Sequence, residues 1–329
     1  MRAMLLHGFG DVSQFRPGDI PRPQPGPGQV LVRVAAASVN PIDVKIRRLA
    51  PAFAPKLPAV LGVDFAGLVE EVGDGVAEFA PGDEVYGCAG GVGERQGTLA
   101  ELVPVEARFL APKPGRLTLR EAAALPLVAI TAWDALHAKA GMRPGEHVLI
   151  HGGAGGVGHV AVQLAKAAGL RVAATVSSPA KADIARALGA DEIVNYREEE
   201  PAAYVERLTG GAGFDLVFDT VGGPTLDASI AAARPRGRVA STNTRGSHDL
   251  SGLHAKALTL HVVFMLLPLI GAAAEPDYGA VLREAGALAD AGRLVPLLDE
   301  RAFSLARADE AHALVESGRA VGKVVVDVA

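Results

Sequence analysis

Short apolar runs alternate with segments of helical periodicity from about residue 147 to residue 241. The apolar runs have the length and β-branched content of buried strands, and Ala-rich amphipathic segments separate them. In chain order the predicted strands are HVLIHG, RVAATV, EIVNY, FDLVFDTVG and GRVAST. Strands that alternate with helices form a parallel sheet covered by helices on both faces. The pattern therefore predicts an α/β fold with a doubly wound parallel sheet of the Rossmann type.

The first part of the chain is different, because short Val-rich runs are separated by Pro and Gly. VLVRVAAASV predicts a strand, FAGLVEEVGDGV predicts strand, turn and strand with the turn at Gly73 and Gly75, and FAPGDEVYG predicts a turn leading into a strand. Regularly spaced short strands favour a β-rich, barrel-like domain. The Ala-rich segment from Leu119 predicts helix interrupted at Pro126. The tail from about Tyr278 predicts a helix and a closing strand, GKVVVDV, which we expect to return to the first domain.

The most apolar run is LTLHVVFMLLPLIGAAA, which begins at Leu258. It is shorter than the ~20 residues that a membrane-spanning helix needs, and it contains His261 and Pro268. We expect a buried strand or an interface here, and no membrane association.

Composition narrows the function classes. The 329 residues are 49% hydrophobic and 21% charged, with a formal net charge of −5, which suggests a globular protein of about two domains. The sequence has no long basic run, so a nucleic-acid partner is not expected. Cys88 is the single cysteine, which permits no internal disulfide and no cysteine-cluster metal site and fits a cytoplasmic location. The N-terminus MRAMLLHGFGDV is too short and too mixed for a signal peptide.

A glycine-rich stretch lies between the first predicted strand of the α/β region and the helix that follows it. Its spacing matches G-x-G-x-x-G, in the strand–turn–helix context that makes this motif informative. Such glycines permit a tight turn and let backbone N–H groups and the helix N-terminus approach a pyrophosphate. The alternative is an ordinary tight turn. The predicted cofactor-binding residues of the stretch are Gly153, Ala154, Gly155, Gly156, Val157 and Gly158.

The end of the second predicted strand indicates which dinucleotide binds. NAD sites usually carry Asp or Glu there, about 20 residues after the glycines, to hold the ribose hydroxyls. This chain has Ser177, Ser178 and Lys181 instead. Hydroxyl groups and an ammonium group attract a 2′-phosphate, so the sequence favours NADP(H). A serine helix cap beside a surface lysine is the alternative, and the two roles are compatible.

The whole chain resembles the zinc-free quinone oxidoreductase branch of the medium-chain dehydrogenase/reductase superfamily, the group that includes zeta-crystallin. The resemblance rests on ASVNPIDVKIR, LGVDFAGLVEEVG, PGDEVYG, LPLVAITAWDAL, HGGAGGVGHVAVQLAK, FDLVFDTVGG and the closing GKVVV. It implies a GroES-like catalytic domain made of residues 1–124 and 270–329, and a Rossmann NADP-binding domain made of residues 125–269. It also implies an active site in the cleft between the domains, and a homodimer or homotetramer.

The resemblance also bears on metal binding. Zinc-dependent relatives place Cys where Asn40 stands, His where Val63 stands and usually another Cys near Leu127. An amide and two aliphatic side chains cannot form a tetrahedral zinc site, so we expect no metal. Without a Lewis acid, alcohol oxidation is disfavoured. Quinones and α,β-unsaturated carbonyls remain as hydride acceptors, because hydrogen-bond donors alone can stabilise the oxyanion that forms.

The resemblance implies the following catalytic candidates. Asn40 would face the substrate and donate a hydrogen bond to its oxygen. Asp43 would either take part or organise the local backbone. Lys45 stands where relatives often have Tyr, so it is either a substitute proton donor or an exposed lysine, and a second expected Tyr is also absent. Thr131 would touch the nicotinamide, or would bond back to its own helix.

Further cofactor contacts follow from the same resemblance. Tyr196 would approach the adenosine phosphate, with buried packing as the alternative. Thr242 and Asn243 lie in a loop expected to pass over the cofactor. Phe264 and Met265 would contact the nicotinamide, or would form a dimer seam.

These expectations lead to an NADPH-dependent oxidoreductase that transfers hydride to a quinone or an enone or enoyl substrate. The alternative is an NADPH-binding protein with a sensing or structural role and little turnover, which the missing tyrosines favour. A nucleic-acid-binding form of that alternative is disfavoured by the net charge of −5.

Overall fold

The computed structural model describes residues 1–271 and 277–329. The chain forms two compact units. Unit 1 consists of residues 1–127, 266–292 and 296–329, and unit 2 consists of residues 128–265 and 293–295.

The strands are β1 (Arg2–Leu6), β2 (Phe15–Asp19), β3 (Gln29–Val39), β4 (Ala59–Val60), β5 (Asp64–Val72), β6 (Glu84–Cys88), β7 (Leu102–Glu106), β8 (Leu110–Pro112), β9 (His147–Ile150), β10 (Arg171–Val176), β11 (Glu192–Asn195), β12 (Phe214–Asp219), β13 (Ala233–Ser241), β14 (Thr259–Val262), β15 (Phe303–Ser304) and β16 (Val324–Asp327).

The α-helices are α1 (Pro41–Leu49), α2 (Leu119–Ala122), α3 (Pro126–Trp133), α4 (Gly156–Ala167), α5 (Pro179–Ala187), α6 (Pro201–Thr209), α7 (Pro224–Ala232), α8 (Ser251–Ala255), α9 (Tyr278–Asp290) and α10 (Ala308–Glu316). A π-helical turn, Asp134–Lys139, continues α3.

Unit 2 is built on a six-stranded sheet with the order β11-β10-β9-β12-β13-β14, in which all pairings are parallel. The central strands are buried because helices cover both faces of a doubly wound sheet. The strand order reverses beside β9, and ligands of such sheets bind at the carboxyl ends of the strands at this point. The predicted doubly wound α/β fold is confirmed.

Unit 1 is β-rich, as predicted. Its larger sheet has the order β15-β16-β3-β5-β6-β8, with β7 also paired to β3, and a smaller sheet has the order β2-β1-β4. The long strand β3 organises the larger sheet because it pairs with β5 along one edge and, along the other, with β7 at residues 29–33 and with β16 at residues 36–39. The tail of the chain therefore joins the sheet formed by its beginning: Val324 pairs with Val39.

The prediction of a strand directly after the turn at Gly73 and Gly75 needs correction. The segment after the turn at Gly73 and Gly75 forms no strand, and β6 begins only at Glu84. The reason is that Gly82 N donates to Val69 O and Val69 N donates to Asp83 O, so the chain meets β5 again only at these residues and the segment before them is a loop. The interruption at Pro126 is confirmed, since α3 begins at that residue.

The apolar run from Leu258 was predicted to be a buried strand or an interface; the buried strand is wrong for most of its described residues, and the interface stays a prediction. Only β14 is strand, and it is the edge strand of the unit 2 sheet. Val262 is 51% exposed, because an edge strand has a neighbour on one side only. The last three residues of the run, at 272–274, lie outside the described residues. Within the described part of the chain, no helix has the length and apolar character that a bilayer span requires.

Candidate functional site

The turn between β9 and α4 permits no side chain at two of its glycines. A Cβ at Gly158 would lie 2.0 Å from the carbonyl oxygen of Gly152, and a Cβ at Gly153 would lie 2.7 Å from Ala174 Cβ. Gly152 itself has φ +71°, in the left-handed region. Glycine therefore lets the first turn of α4 pack directly on the loop and brings the helix N-terminus, with its unpaired N–H groups, to the end of the sheet.

A cavity of about 510 Å³ opens beside this turn. Its walls come from the ends of β9 and β10, the segment before α6, and the start of α7. Five predicted cofactor residues line it: Ala154, Gly155, Ser177, Lys181 and Tyr196. The sequence analysis did not single out the other lining residues, which are His151, Gly152, Thr175, Val176, Glu199, Glu200, Pro201, Tyr204, Val221, Gly222, Pro224, Thr225 and Ala228.

The two serines after β10 have different positions. Ser178 caps α5, and its hydroxyl oxygen accepts a hydrogen bond from Lys181 N at 3.4 Å. Ser177 and Lys181 line the cavity. Tyr196 also lines it and is 55% exposed, so the alternative of buried packing is wrong for this residue.

Two carboxylates that the sequence did not indicate line the cavity from the segment before α6. Glu199 and Glu200 precede α6 and lie in the cavity wall. Glu199 accepts hydrogen bonds from Arg207 at 2.8 and 2.6 Å, which lowers the pKa of its carboxyl group and offsets its charge. Glu199 and Glu200 do not belong to the end of β10, where an NAD site usually carries an acid; the polar residues that follow this strand and line the cavity are Ser177 and Lys181.

Two buried polar atoms in cavity-lining residues have no hydrogen-bond partner within the described residues: His151 Nε2 and Tyr204 Oη. Gly152 N donates to Thr175 Oγ1 at 3.0 Å, and Thr175 Oγ1 lies 3.3 Å from His151 Nδ1. Burial lowers the pKa of His151 to about 4, so its imidazole is neutral at pH 7. Buried polar atoms without partners are expected where a polar ligand binds, so the chemistry of this cavity suits a polar ligand.

The remaining predicted cofactor residues do not line this cavity. Asn243 backs one wall: its side-chain nitrogen donates to Val221 O at 3.2 Å, and it fills the space where Gly222 would carry a Cβ. Thr242 N donates to Asp219 O at 3.1 Å, which ties this loop to the end of β12. Phe264 and Met265 follow β14, and Met265 is buried.

Unit 1 contains a second group of polar residues, which we call the Asp64 cluster: Ser38, Asn40, Asp64, Cys88, the backbone of Leu127, and Lys323. At most 3% of the surface of each of Ser38, Asn40, Asp64, Cys88 and Lys323 is exposed. Asp64 Oδ2 accepts hydrogen bonds from Ser38 Oγ and Asn40 Nδ2, both at 2.8 Å, and from Lys323 Nζ at 3.1 Å. Asp64 Oδ1 accepts from Leu127 N at 2.7 Å. Lys323 Nζ also donates to Asn40 Oδ1.

Asn40 and Asp43 begin helix α1. Asn40 N donates to Asp43 Oδ2 at 2.8 Å, so Asp43 organises the backbone at the helix N-terminus. Burial raises the pKa of Asp43 to about 7, and the Asp64 carboxylate adds to this rise. Lys45 lies on the same helix and is half-buried, whereas Thr131 is buried in α3.

Sequence reasoning missed Asp64, Lys323 and Ser38. The available signal was a charged residue inside an apolar strand motif, in LGVDFAG and GKVVV, because charged residues are rarely buried without a partner. The partners of these charges are not evident from the sequence, since residues 64 and 323 lie far apart in the chain.

A zinc ion does not fit the residues of the Asp64 cluster. Asn40, Val63 and Leu127 offer no thiolate or imidazole, and an ammonium group already lies against the one carboxylate. Burial also raises the pKa of the Cys88 thiol, which disfavours the thiolate that zinc would need. Across residues 1–271 and 277–329, no three His, Cys, Asp or Glu side chains are grouped as metal ligands.

Two family models match the chain. The alcohol dehydrogenase GroES-like domain matches residues 26–115, and the zinc-binding dehydrogenase family matches residues 156–283.

Three relatives illustrate the similarity. A 2-haloacrylate reductase of a Burkholderia species is 37% identical over 241 residues, which are 73% of this chain and 72% of that protein. The structure of an alcohol dehydrogenase superfamily protein from Novosphingobium aromaticivorans is 44% identical, with a TM-score of 0.95 over 100% of both chains. The structure of Escherichia coli quinone oxidoreductase complexed with NADPH is 27% identical, with a TM-score of 0.88 over 100% of both chains.

Some other curated relatives are much longer, and the chain spans only 13% and 15% of two of them. Full-length similarity to the shorter relatives, at these identities, establishes the family. The chain belongs to the medium-chain dehydrogenase/reductase superfamily.

Proposed function

We propose that the protein is an NADPH-dependent oxidoreductase that transfers hydride to a quinone or to an α,β-unsaturated carbonyl compound without zinc. The observation that carries the proposal is the cavity of unit 2, in which the glycine turn, Ser177 and Lys181 lie together. Relatives named 2-haloacrylate reductase and quinone oxidoreductase act on these two substrate classes, which supports the choice.

The choice of NADP(H) rests on the charges around the end of β10. A 2′-phosphate carries negative charge and accepts hydrogen bonds, so it is favoured by the ammonium of Lys181 and the hydroxyl groups of Ser177 and Tyr196. The N-terminus of α4 would receive the pyrophosphate, because its N–H groups and partial positive charge favour an anion there. A relative bound to NADPH supports the same assignment.

The bound nicotinamide would supply the hydride, and the residues of the chain would orient the reactants and stabilise charge. We assign Asn40 as the hydrogen-bond donor to the substrate oxygen, and Thr131 as a nicotinamide contact. Thr242, Asn243, Phe264 and Met265 belong to the segments that we assign to the cofactor. Lys45 is the candidate proton donor, since it is the half-buried ionisable group on α1.

We propose the corresponding division of the chain, with a GroES-like catalytic domain made of segments 1–124 and 270–329 and a Rossmann NADP-binding domain made of segment 125–269. We also propose a cytoplasmic homodimer or homotetramer. The exposed edge of β14, with Val262 at its end, supports pairing between subunits, since an unpaired edge strand needs cover.

The experiment that tests the function is a steady-state assay of NADPH oxidation, with NADH in parallel. The acceptors are a naphthoquinone, a short enone and an enoyl thioester. Turnover of one class, faster with NADPH, is the expected result. The variants K181A and N40A should raise the KM for NADPH and lower kcat, respectively.

A binding protein with little turnover is the second candidate. One observation favours it: Asn40 is 1% exposed, and both ends of its amide already have partners inside unit 1. NADPH binding, followed by nicotinamide fluorescence, with no oxidation across all three acceptors would favour this candidate over the reductase.

A further inference from the structure

Lys323 places a positive charge in the interior of unit 1. Its side chain is only 3% exposed, as is typical of a residue held by partners rather than by water. The ammonium group lies between Asn40 Oδ1 and Asp64 Oδ2. Removing a charge from water is costly, and a well-packed apolar pair is often no less stable than a buried ion pair. Stability is therefore a weak reason for this pair, and an effect on a neighbouring side chain is the stronger one.

The neighbour that the pair affects most directly is the amide of Asn40. Its nitrogen donates to the carboxylate of Asp64, and its oxygen accepts from the ammonium of Lys323. Rotating the amide by 180° would point the oxygen at the carboxylate and the nitrogen at the ammonium, so both contacts would become repulsive. An amide usually has two orientations of similar energy, but here two opposite charges select one of them.

The pair itself is anchored at several points. Asp64 also accepts hydrogen bonds from Ser38 Oγ on β3 and from the backbone N–H of Leu127 at the start of α3. Lys323 immediately precedes β16, whose pairing with β3 fixes its backbone. The charges are therefore held by strands and by a helix start, which suits a group that must keep another side chain in place.

We propose that the Lys323–Asp64 ion pair is a positioning device that fixes the amide of Asn40 in the orientation needed for catalysis. The proposal rests on the proposed function, in which Asn40 donates to the substrate oxygen. Asn40 Nδ2 carries two hydrogens, and Asp64 accepts one of them. The second is the donor for the oxygen of the quinone or enone, which becomes negative when hydride arrives at carbon.

The zinc-binding description of the matching family model makes this inference more specific. The residues of this chain do not fit a zinc ion, yet a positive charge is built into the same cluster as Asn40. Lys323 acts through Asn40 and not by contact with the substrate. Reversal of the amide would present its carbonyl oxygen to a developing oxyanion, which would be repelled.

The double variant D64N/K323Q tests the proposal. In D64N, the carbonyl oxygen of the introduced amide can still accept the hydrogen bond from Leu127 N. The NH₂ group of that amide then points toward Asn40. The amide of Asn40 should then reverse, with its nitrogen donating to the new Gln. Both charges are removed together, so no unpaired charge stays buried and the protein should remain folded. The matched control is E84Q/K113Q, which removes another Lys–carboxylate pair of unit 1, one that does not contact Asn40.

Two readouts are needed. The first is the side-chain amide signal of Asn40 in ¹H–¹⁵N NMR spectra, assigned by its loss in N40D. The second is the steady-state kinetics of the NADPH-loaded enzyme with the acceptor that it reduces. We expect the Asn40 signal to move in D64N/K323Q, and kcat to fall by about 10- to 100-fold with KM nearly unchanged. The control should leave both readouts as in the original protein.

An Asn40 signal that stays in place in a folded D64N/K323Q variant would overturn the proposal, whether or not the protein turns over any acceptor. A moved signal with unchanged kcat would overturn it as well. Absence of turnover in the unmodified protein is a different result, because it would refute the proposed reductase function, and the NMR signal would still decide whether the pair orients Asn40.

Discussion

The polar residues of the two units differ in exposure and in whether their hydrogen-bonding groups already have partners. In unit 2, Ser177, Lys181 and Tyr196 surround an open cavity, and the buried atoms His151 Nε2 and Tyr204 Oη have no partner among the described residues. In unit 1, the polar groups of the Asp64 cluster are nearly inaccessible and bond to one another. One region has hydrogen-bonding capacity left for a ligand, whereas the other uses its capacity to fix its own geometry.

The difference indicates a division of labour within the proposed reaction. A cofactor site must exchange a large charged ligand with solvent, so exposed and unpaired groups suit it. A group that stabilises charge at the reacting atoms must be in place before the reaction, so a rigid internal network suits it. Four predictions test this contrast, from the largest expected effect to the smallest.

The single variant K323M should have the largest effect, because it leaves the Asp64 carboxylate buried without its ammonium partner. We expect the free energy of unfolding to fall by about 3–5 kcal/mol, measured by urea denaturation. D64N/K323Q should lose markedly less than K323M, since it removes both charges. If the free energy of unfolding of K323M lay within about 1 kcal/mol of that of the original protein, the buried carboxylate of Asp64 would not depend on Lys323 for its stabilisation.

G158A should abolish dinucleotide binding. The added methyl group would lie 2.0 Å from Gly152 O, so the first turn of α4 must move away from the loop. We expect the affinity for NADPH to fall by about 100-fold or more, measured by nicotinamide fluorescence, because the helix N-terminus no longer meets the pyrophosphate. G115A is the control, since its methyl group would have only an ordinary contact at 3.7 Å. Equal NADPH affinities of G158A and G115A would show that the glycine turn does not contact the cofactor.

K181A should separate the two cofactors. Loss of a charge-assisted contact should raise the KM for NADPH by about 10- to 100-fold and leave the KM for NADH nearly unchanged. R186A, which removes a positive charge at the other end of α5, should change neither value. Parallel changes for NADPH and NADH in K181A would argue that Lys181 does not bind the 2′-phosphate.

D43N should have the smallest effect and should depend on pH. The pKa of Asp43 is raised from 3.8 to about 7 in the folded protein, so the native state prefers the protonated carboxyl group. Native stability is then lost as the pH rises from about 4 to about 7, and D43N escapes that loss. We expect the free energy of unfolding of D43N, relative to that of the original protein, to rise steadily between pH 4.5 and pH 8.

The control for this pH dependence is D249N. Hydrogen bonds from Ser251 lower the pKa of Asp249, so that carboxylate stabilises the native state at higher pH, and its loss should give the opposite trend. Denaturation curves at several pH values provide the measurement. A difference between D43N and the original protein that does not vary with pH would contradict the assignment.

The fold and the place of the cavity in unit 2 were largely predictable because their signals are local. The alternation of strands and helices identified the doubly wound sheet, and the spacing of Gly153, Gly155 and Gly158 indicated the turn that lies beside the cavity. Glu199, Glu200 and Tyr204 were missed since they reach the cavity from a segment that has no motif of its own. The choice between a buried strand and an interface at β14 was left open, because an apolar run does not reveal how many neighbours a strand has.

The Asp64 cluster could not be predicted in the same way. The pairing of β3 with β5 and β16 brings residues 38, 40, 64 and 323 together, and the backbone of residue 127 joins them from the start of α3. The sequence indicated Asn40 and Asp43 through their position in a motif. It could not indicate that the two ends of the Asn40 amide face opposite charges, because that fact depends on side-chain geometry.

The most direct test of the proposed hydride transfer is a single-turnover reaction with NADPH that carries deuterium at the transferred position of C4, and a short enone as acceptor. We expect mass spectrometry to find one deuterium on the β-carbon of the saturated product, with the α-hydrogen derived from solvent. We also expect labelled NADH to react more slowly. Product without deuterium, or no product while NADPH stays bound and unoxidised, would contradict hydride transfer to an enone by this protein.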